Sequence, residues 1–510
     1  LDCVRDLNGM FGLALWDARR QRLVLARDRV GKKPLYYLDD GERLLFASEL
    51  KAILADPSVA RTVDKTALSE YMALGYVAAP RTIFAGLRKL PPAHTLALQG
   101  GHVSVQRYWD WQPAFGRVKE QSEADWGAEL LDCLRGSVRD RLMSDVPLGA
   151  FLSGGVDSSA VVGLMAELSA APVKTFAIGF EGSLVNELPY ARKVAERFGT
   201  EHHELFVQSE SVRDFLPRLV HSFDEPFADS SAIPTYYVAQ MTRQYVTVAL
   251  SGDGGDEALA GYHRYPQMLD ESRLDWIPAP LRHALFKWPA QWLPAGKPGR
   301  RLAQRLSRPL GERYAYAMSA IADDHIQRLL RPELANGGSG HQIVSAAVRS
   351  APGLDPLSRL QYADLMTYLP EDILVKVDRM SMAHSLEVRC PLLDYRFLEL
   401  AAAVPPSLRL HGGQGKQVFK RALRGWLPDE ALDRTKAGFS FPLRDWFRAG
   451  LADYADEVFQ DSSTRANGFL ETAEVLRLTQ AHREGRRNHE YVLWSALVLE
   501  MWRRAYLEPG

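Results

Sequence analysis

The stretch FLSGGVDSS, Phe151–Ser159, lies where an apolar run ends and a helical pattern begins. Its two adjacent glycines let the backbone turn tightly and approach an anion, while Ser153, Ser158 and Ser159 add hydroxyl donors. The unsatisfied N–H groups of the following helix point to the same place. The stretch therefore predicts a phosphate-binding loop at the carboxyl end of a strand. An ordinary turn and helix cap would have a similar composition.

Strand and helix patterns alternate around this loop. The predicted strands cover residues 146–152, 174–180, 202–207 and 246–250, and the predicted helices cover 158–168, 188–198, 212–222 and 233–243. An amphipathic helix from Glu123 to about Met143 precedes them. Such alternation predicts an α/β domain whose parallel sheet is covered on both faces.

The ends of the chain have different patterns. Residues 9–54 contain short alternating apolar runs, which predict antiparallel strands. Residues beyond 265 are almost wholly helical in pattern. We therefore expect one domain over residues 1–112 and a second over 123–510, with a mostly helical region from about residue 266.

Composition limits the classes of function. The formal net charge is −1, from 62 basic and 63 acidic side chains, so no long-range field favours nucleic acid or a membrane. No apolar run approaches the ~18 residues of a membrane span. Cys3, Cys133 and Cys390 are odd in number and widely separated, which suits reduced thiols in a cytoplasmic enzyme. The chain opens at Leu1 within a folded-domain pattern, and we expect an upstream segment to be missing.

A second glycine-rich loop, SGDGGDE at Ser251–Glu257, follows another predicted strand. A carboxylate such as Asp157 would repel phosphates unless a cation intervened, so these acids indicate Mg²⁺. Asp157 and Asp256 are the candidate ligands, shared across a triphosphate. The alternative is a Gly/Asp turn that caps the next helix. The first loop lacks the Gly-Lys-Ser/Thr ending of a Walker A loop and suits pyrophosphate better.

These motifs also resemble a known family. FLSGGVDSS is similar to the pyrophosphate loop of N-type ATP pyrophosphatases. Four further motifs resemble, in order, those of glutamine-hydrolysing asparagine synthetases: FDEPFADSSAIPTYYVA (223–239), SGDGGDEALAGYHRY (251–265), LPEDILVKVDRMSMAHSLEVRCPLLD (369–394) and RTKAGFSFP (434–442). The runs GMFGLALWD, LARDRVGKKPLYY and FASELKAIL resemble the rear part of the family's N-terminal nucleophile glutaminase domain.

The resemblance implies an amide-forming ligase. In the implied reaction, a carboxylate, most simply that of aspartate, attacks the α-phosphorus of ATP, and ammonia derived from glutamine then displaces AMP from the acyl-adenylate. Mg²⁺ held by Asp157 and Asp256 would neutralise the departing pyrophosphate. The resemblance implies ATP or pyrophosphate contacts for Leu152, Ser153, Gly154, Gly155, Asp157, Ser158, Ile178, Ser251 and Gly252.

Two further residues receive catalytic roles from the resemblance. Asp253 falls where many relatives have glutamate, at a position linked to formation of the adenylate. Lys436 matches a lysine that reaches pyrophosphate, although a solvated surface lysine is the alternative. Leu152 and Ile178 could equally be strand-core residues. The segment 376–389 could line the acceptor pocket or form an exposed charged face.

Several questions stay open at the level of sequence. In relatives, the glutaminase nucleophile is the first residue of the mature chain; Cys3 does not occupy that position, so no nucleophile is assigned. The same chemistry on another carboxylate is an alternative, as in β-lactam synthetases, peptide cyclases or exopolysaccharide-associated amidotransferases. A non-catalytic nucleotide-binding regulator is another, although the charge set of Asp157, Asp256 and Lys436 argues against it. A homodimer is compatible with the sequence.

Overall fold

The front of the chain forms two antiparallel sheets, as its alternating pattern predicts. The computed structural model describes residues 2–117, 119–180, 186–207, 212–292, 299–335, 337–338, 340–434, 442–448 and 450–508. One sheet has the order β1-β2-β6-β7 and the other β4-β3-β5. The elements are β1 (Gly12–Asp17), β2 (Arg22–Arg27), β3 (Tyr36–Asp39), β4 (Leu44–Ala47), α1 (Leu50–Leu54), α2 (Lys65–Leu74), β5 (Leu87–Lys89), β6 (His94–Gln99) and β7 (His102–Arg107).

The next section forms a five-stranded sheet of order β10-β9-β8-β11-β12 in which every pairing is parallel. Its elements are α3 (Glu123–Leu142), β8 (Leu148–Phe151), α4 (Val156–Leu168), β9 (Lys174–Phe180), α5 (Leu188–Phe198), β10 (Glu201–Val207), α6 (Val212–Phe223), α7 (Ala232–Arg243), β11 (Val248–Leu250) and β12 (Glu387–Arg389). The helix α3 begins with a capping box, in which Ser122 and Asp125 each bond the other's backbone N–H. The predicted α/β class with a parallel sheet is confirmed.

The sheet contains one strand that the sequence pattern did not predict. β12 pairs with β11 at the sheet edge, more than a hundred residues further along the chain. It has only three residues, two of them charged, and it follows a helical pattern. Neither its length nor its composition distinguishes it locally from a loop, and only pairing with a distant strand makes it part of the sheet.

The rest of the chain is mostly helical. Its elements are α8 (Gly255–Ala258), α9 (Arg264–Ser272), α10 (Ala279–Trp292), α11 (Arg300–Leu306), α12 (Leu310–Met318), α13 (Asp323–Leu329), α14 (Gln342–Arg349), α15 (Pro356–Met366), α16 (Leu374–Met382), α17 (Tyr395–Ala403), α18 (Pro406–Arg409), β13 (Leu410–His411), β14 (Gln414–Gly415), α19 (Gln417–Leu423), α20 (Asp429–Asp433), α21 (Leu443–Trp446), α22 (Gly450–Gln460), α23 (Ser462–Asn467), α24 (Thr472–Arg483) and α25 (Glu490–Leu507). None of the helices in the described part of the chain is long and apolar enough to cross a membrane.

A buried group of charges joins the front sheets to the helical part. The Arg27 guanidinium lies 3.3 Å from a carboxylate oxygen of Glu371, and the Lys89 ammonium lies 3.1 Å from the other oxygen of the same carboxylate. Lys89 also contacts Glu225 at 2.5 Å. All four side chains are at most 9% exposed. We call Arg27, Lys89, Glu225 and Glu371 the interface cluster.

Candidate active site

The two glycine-rich loops meet at the carboxyl end of the parallel sheet. β8 and β11 are adjacent and parallel, so the loops that follow them lie side by side. A Cβ atom on Gly252 would lie 2.6 Å from the backbone nitrogen of Ser158, and one on Gly255 would lie 2.4 Å from the Asp157 carboxyl carbon. The loops approach each other this closely because both positions lack a side chain.

The first loop is organised by its own serines. The hydroxyl groups of Ser153 and Ser158 are 3.0 Å apart, and the Ser158 hydroxyl also donates to the Gly155 carbonyl at 3.2 Å. Gly154 has a φ of +70°, and a Cβ there would lie 2.5 Å from the backbone of Tyr190. Gly155 precedes α4 and has no side chain to cap it. The loop therefore presents hydroxyls and a helix N-terminus to one place, which suits an anion.

A lysine joins the two loops. The Lys416 ammonium contacts one carboxylate oxygen of Asp157 and lies 2.7 Å from Asp256. Burial lowers the pKa of Lys416, but Asp157 and Asp256 raise it more, so the net shift is upward and the ammonium stays charged. A Cβ on Gly261 would lie 1.9 Å from the contacted Asp256 oxygen, so this glycine leaves room for the pair. We call Asp157, Asp256 and Lys416 the strand-end cluster.

The strand-end cluster suits a metal ion that is coordinated partly by the protein and partly by a bound phosphate ligand. Among the described residues, no group of three or more His, Cys, Asp or Glu side chains could hold a metal ion alone. Asp157 and Asp256 supply carboxylates from two loops, beside hydroxyls and a helix N-terminus that suit phosphate. Mg²⁺ is commonly bound in this way, by one or two carboxylates plus substrate phosphates and water. The donor set therefore fits Mg²⁺ accompanied by a nucleotide.

A second polar group lies near Asp253. The Ser251 hydroxyl donates to the Asp253 carboxylate at 2.7 Å. The Lys376 ammonium lies 2.7 Å from Asp229 and is close enough to Asp253 for that charge to raise its pKa. Burial lowers the pKa of Lys376, but the neighbouring carboxylates produce a net upward shift.

Another carboxyl group extends this region. Burial, with a smaller contribution from Asp229, raises the pKa of Asp372 well above its usual range. Lys376 also donates to the Ser231 hydroxyl at 2.7 Å. The group thus combines one ammonium, several carboxyls and a hydroxyl close to the second loop, and these are groups that can bind both ends of a zwitterion.

The segment 376–389 divides between two roles in the structure. Lys376 faces the group near Asp253, whereas Arg379 lies 2.9 Å from Glu49 of the front domain. Asp378 also points toward the front domain, where the Lys33 ammonium lies 2.6 Å away. The segment also returns to the second loop at its end, where the Arg389 carbonyl accepts from the backbone N–H of Ser251 at 2.9 Å.

The remaining candidates vary in exposure. Leu152 and Ile178 are 1% and 4% exposed, as strand-core side chains would be. Lys436 lies outside the described residues. Arg434, two positions before it, donates to the Ser153 carbonyl at 3.1 Å and pairs with Glu187. The RTKAGFSFP segment therefore reaches the first loop at its first residue.

Three polar residues of this region were not singled out from the sequence. Lys416 lies 259 positions from Asp157, and nothing in its own surroundings marks it as a site residue. Asp229 lies in the motif FDEPFADSS, and Arg434 is the first residue of RTKAGFSFP, but the resemblance gave neither residue a role. Membership of these motifs was the signal that could have identified Asp229 and Arg434 as site residues. For Lys416 we find none.

Comparison with known proteins assigns the chain to a family. The asparagine synthase family profile matches residues 129–504, and a glutamine amidotransferase domain profile matches residues 1–109. The chain belongs to the asparagine synthase family. It is accordingly a ligase with an ATP-binding domain. The amidotransferase match does not support the expectation that only the rear part of that domain is present.

Individual relatives carry the name of the same family. Asparagine synthetase [glutamine-hydrolyzing] 1 of Bacillus subtilis is 32% identical over 99% of this chain and 79% of its own length. A putative asparagine synthetase [glutamine-hydrolyzing] of Mycobacterium bovis is 33% identical over 99% of this chain and 78% of its own. A putative asparagine synthetase of Methanocaldococcus jannaschii is 38% identical over 54% of this chain and 53% of its own.

Proposed function

We propose that this chain forms asparagine from aspartate, ATP and ammonia, with glutamine as the source of the ammonia. The observation that carries the proposal is the strand-end cluster, in which carboxylates from two adjacent loops meet beside an anion-binding helix N-terminus. Carboxylates beside hydrogen-bond donors for an anion suit a triphosphate with a bound metal ion. Without the metal ion, the carboxylates would repel the triphosphate.

The proposed first step is adenylation. An oxygen of the aspartate carboxylate attacks the α-phosphorus of ATP, the bond from that phosphorus to the bridging oxygen breaks, and pyrophosphate leaves. Ser153, Ser158 and the N–H groups at the start of α4 would donate to pyrophosphate as its negative charge develops. Mg²⁺ bound by Asp157 and Asp256 would supply further charge neutralisation. Lys416 would keep the two carboxylates in position, and Lys436 would add a cation at the leaving group.

The proposed second step is amide formation. Ammonia attacks the acyl carbon of the adenylate, loses a proton, and AMP leaves with the carbon–oxygen bond electrons. We propose that Lys376, Asp229 and Asp253 orient the amino acid, because an ammonium and nearby carboxylates match the charges of a zwitterion. The aspartate side chain is one acid that fits such a site. Another carboxylic acid substrate is the competing proposal, and Asp253 in place of the more usual glutamate is the feature that favours it.

The glutamine-dependent part of the reaction is a further proposal. We propose that residues 1–112 belong to the amidotransferase domain, residues 123–510 form the synthetase domain, and Cys3 is not the glutaminase nucleophile. Cys3 is exposed in a short 3-10 helix, Asp2–Arg5, before β1. The 510-residue chain should therefore use ammonium salts, and Cys3→Ala should leave its glutamine hydrolysis unchanged. Glutaminase activity that disappears in Cys3→Ala would contradict this assignment.

The experiment that tests the function is ATP–pyrophosphate exchange with a panel of carboxylates. Exchange that depends on aspartate, followed by asparagine and AMP formation when ammonium is added, is the expected result. Exchange supported by a different acid would favour the competing substrate. ATP binding without exchange for any acid would favour a nucleotide-binding regulator and contradict the proposal. Omission of Mg²⁺ should abolish exchange, which serves as the internal control.

A further inference from the structure

A stripe of large apolar side chains is exposed along α10. Leu281, Leu285, Trp288 and Trp292 are 58%, 57%, 66% and 87% exposed. Their spacing of four, three and four residues puts them on one face of the helix. Trp276, just before the helix, is 79% exposed. These five residues, which we call the apolar stripe, form an apolar face that a soluble helix would normally turn toward the protein.

The opposite side of α10 fixes this orientation. Arg282 is buried and pairs with Asp275, while Phe286 is half-buried and Ala290 is buried. These residues recur every four positions, on the side away from the apolar stripe. Rotating the helix to bury the stripe would separate Arg282 from Asp275 and would move Phe286 and Ala290 toward water, so the outward orientation is built into the packing.

The surrounding sequence is strongly basic. Residues 276–308 contain no Asp or Glu, and their Lys and Arg residues are Arg282, Lys287, Lys297, Arg300, Arg301, Arg305 and Arg308. Arg282 pairs with Asp275, which also pairs with Arg313, and Arg305 pairs with Glu271. Lys287 lies beside Trp288 on the exposed surface and forms no ion pair with the described residues. The whole-chain charge of −1 averages out this local excess.

We propose that the apolar stripe and its basic surroundings bind the surface of an anionic membrane. Tryptophan and leucine on one helical face beside Lys and Arg are the combination that lies in the lipid headgroup region. The cations would face anionic headgroups and the indole rings would enter the boundary with the acyl chains. A nucleic acid would satisfy the cations but would leave the leucines in water. A membrane partner would differ from the expectation drawn from net charge, which averages over the whole chain.

Flotation with lipid vesicles tests the proposal. We expect the 510-residue chain to float with phosphatidylglycerol-containing vesicles, to float much less with pure phosphatidylcholine, and to be released by salt. Trp288→Ser should lower the partition coefficient about tenfold or more, because a large side chain leaves the apolar boundary. Lys287→Gln should lower it about fivefold, the effect of one surface charge. Indole fluorescence should shift to shorter wavelength on binding.

Trp16→Ser is the matched control, because Trp16 on β1 is 54% exposed but lies outside the basic stretch. It should leave vesicle binding unchanged. Loss of binding equally in Trp16→Ser and Trp288→Ser, or equal binding to both lipid compositions, would contradict the proposal. A lower molecular mass for Trp288→Ser by light scattering, with unchanged flotation, would also contradict the proposal. It would show that a second copy of the chain covers the stripe. Unchanged thermal unfolding and ATP–pyrophosphate exchange would show that the variants fold.

Discussion

The strand-end cluster and the interface cluster are both buried groups of opposite charges, but their surroundings differ. In the interface cluster, two cations and two carboxylates neutralise one another. The backbone carbonyls of Leu90 and Val77 accept further hydrogen bonds from the two cations. The strand-end cluster has two carboxylates for one ammonium, and it borders glycine backbone and a helix N-terminus. Only the second cluster has an excess of negative charge next to donors for an anion.

This comparison shows that burial and perturbed ionisation do not by themselves identify an active site. Burial lowers the pKa of Lys89, but Glu225 and Glu371 raise it more, and the net shift has the same direction as that of Lys416. What distinguishes Lys416 is its position at the ends of two parallel strands, between carboxylates of two loops and beside a helix N-terminus that suits an anion.

The largest effect is expected from Asp157→Asn and Asp256→Asn. Each variant keeps the shape of the side chain but removes a charge that would hold Mg²⁺ at the triphosphate, so ATP–pyrophosphate exchange should fall by about 10³-fold or more. Lys416 keeps one carboxylate partner in each variant, and the fold should persist. Asp429→Asn, at an exposed carboxylate paired with Arg424, is the control and should exchange normally. A parental rate in either site variant would remove its assigned role.

Lys436→Ala should lower turnover by about 10²- to 10³-fold while weakening ATP binding much less. The reason is that a cation at the leaving pyrophosphate acts on charge that develops in the transition state, whereas uniform binding does not speed the chemical step. Arginine should rescue only partly, because its planar group cannot put a point charge in the same place. Rapid measurement of pyrophosphate release, with calorimetry for ATP affinity, checks both quantities. A variant that only binds ATP less well would make Lys436 a ground-state contact.

Glu371→Gln should affect stability more than chemistry. It leaves Arg27 and Lys89 buried with a single carboxylate between them, which should lower the free energy of unfolding by about 3 kcal/mol. Exchange per folded molecule should stay near the parental rate, in contrast to the strand-end variants. Chemical denaturation and active-site titration measure the two effects. Glu430→Gln, which disrupts the exposed pair with Lys193, should change stability little. Parental stability in Glu371→Gln would show that the interface cluster does not hold the domains together.

The sequence predicted the strands and the two loops of the candidate site better than the distant residues that contact those loops. Strands β8 to β11 lie within two residues of their predicted bounds, because each apolar run ends at a change to helical or glycine-rich sequence. Lys416 could not be predicted in this way, since its partner Asp157 lies 259 positions away. The apolar stripe of α10 is periodic in the sequence, but periodicity specifies a face and not whether the face is buried. These properties depend on tertiary packing.

The smallest effect concerns His489, a buried group that pairs with no carboxylate in the described part of the chain and does not follow a strand. Burial and then Arg487 lower the pKa of this imidazole to about 4, from 6.5. The unfolded chain therefore binds more protons than the folded one between pH 6.5 and 4, so acidification through this window should destabilise the fold by at most about 3 kcal/mol.

His489→Gln should remove that part of the pH dependence, whereas His102→Gln, at an exposed position, should not. Denaturation curves for the three proteins at pH 7 and pH 4.5 test this. The N–H of His489 donates to His482 and its ring lies near His325, and neither partner belongs to the two loops. Its replacement should therefore leave exchange at neutral pH unchanged, and a slower exchange rate would show that a buried, perturbed group outside the loops can still control the chemistry.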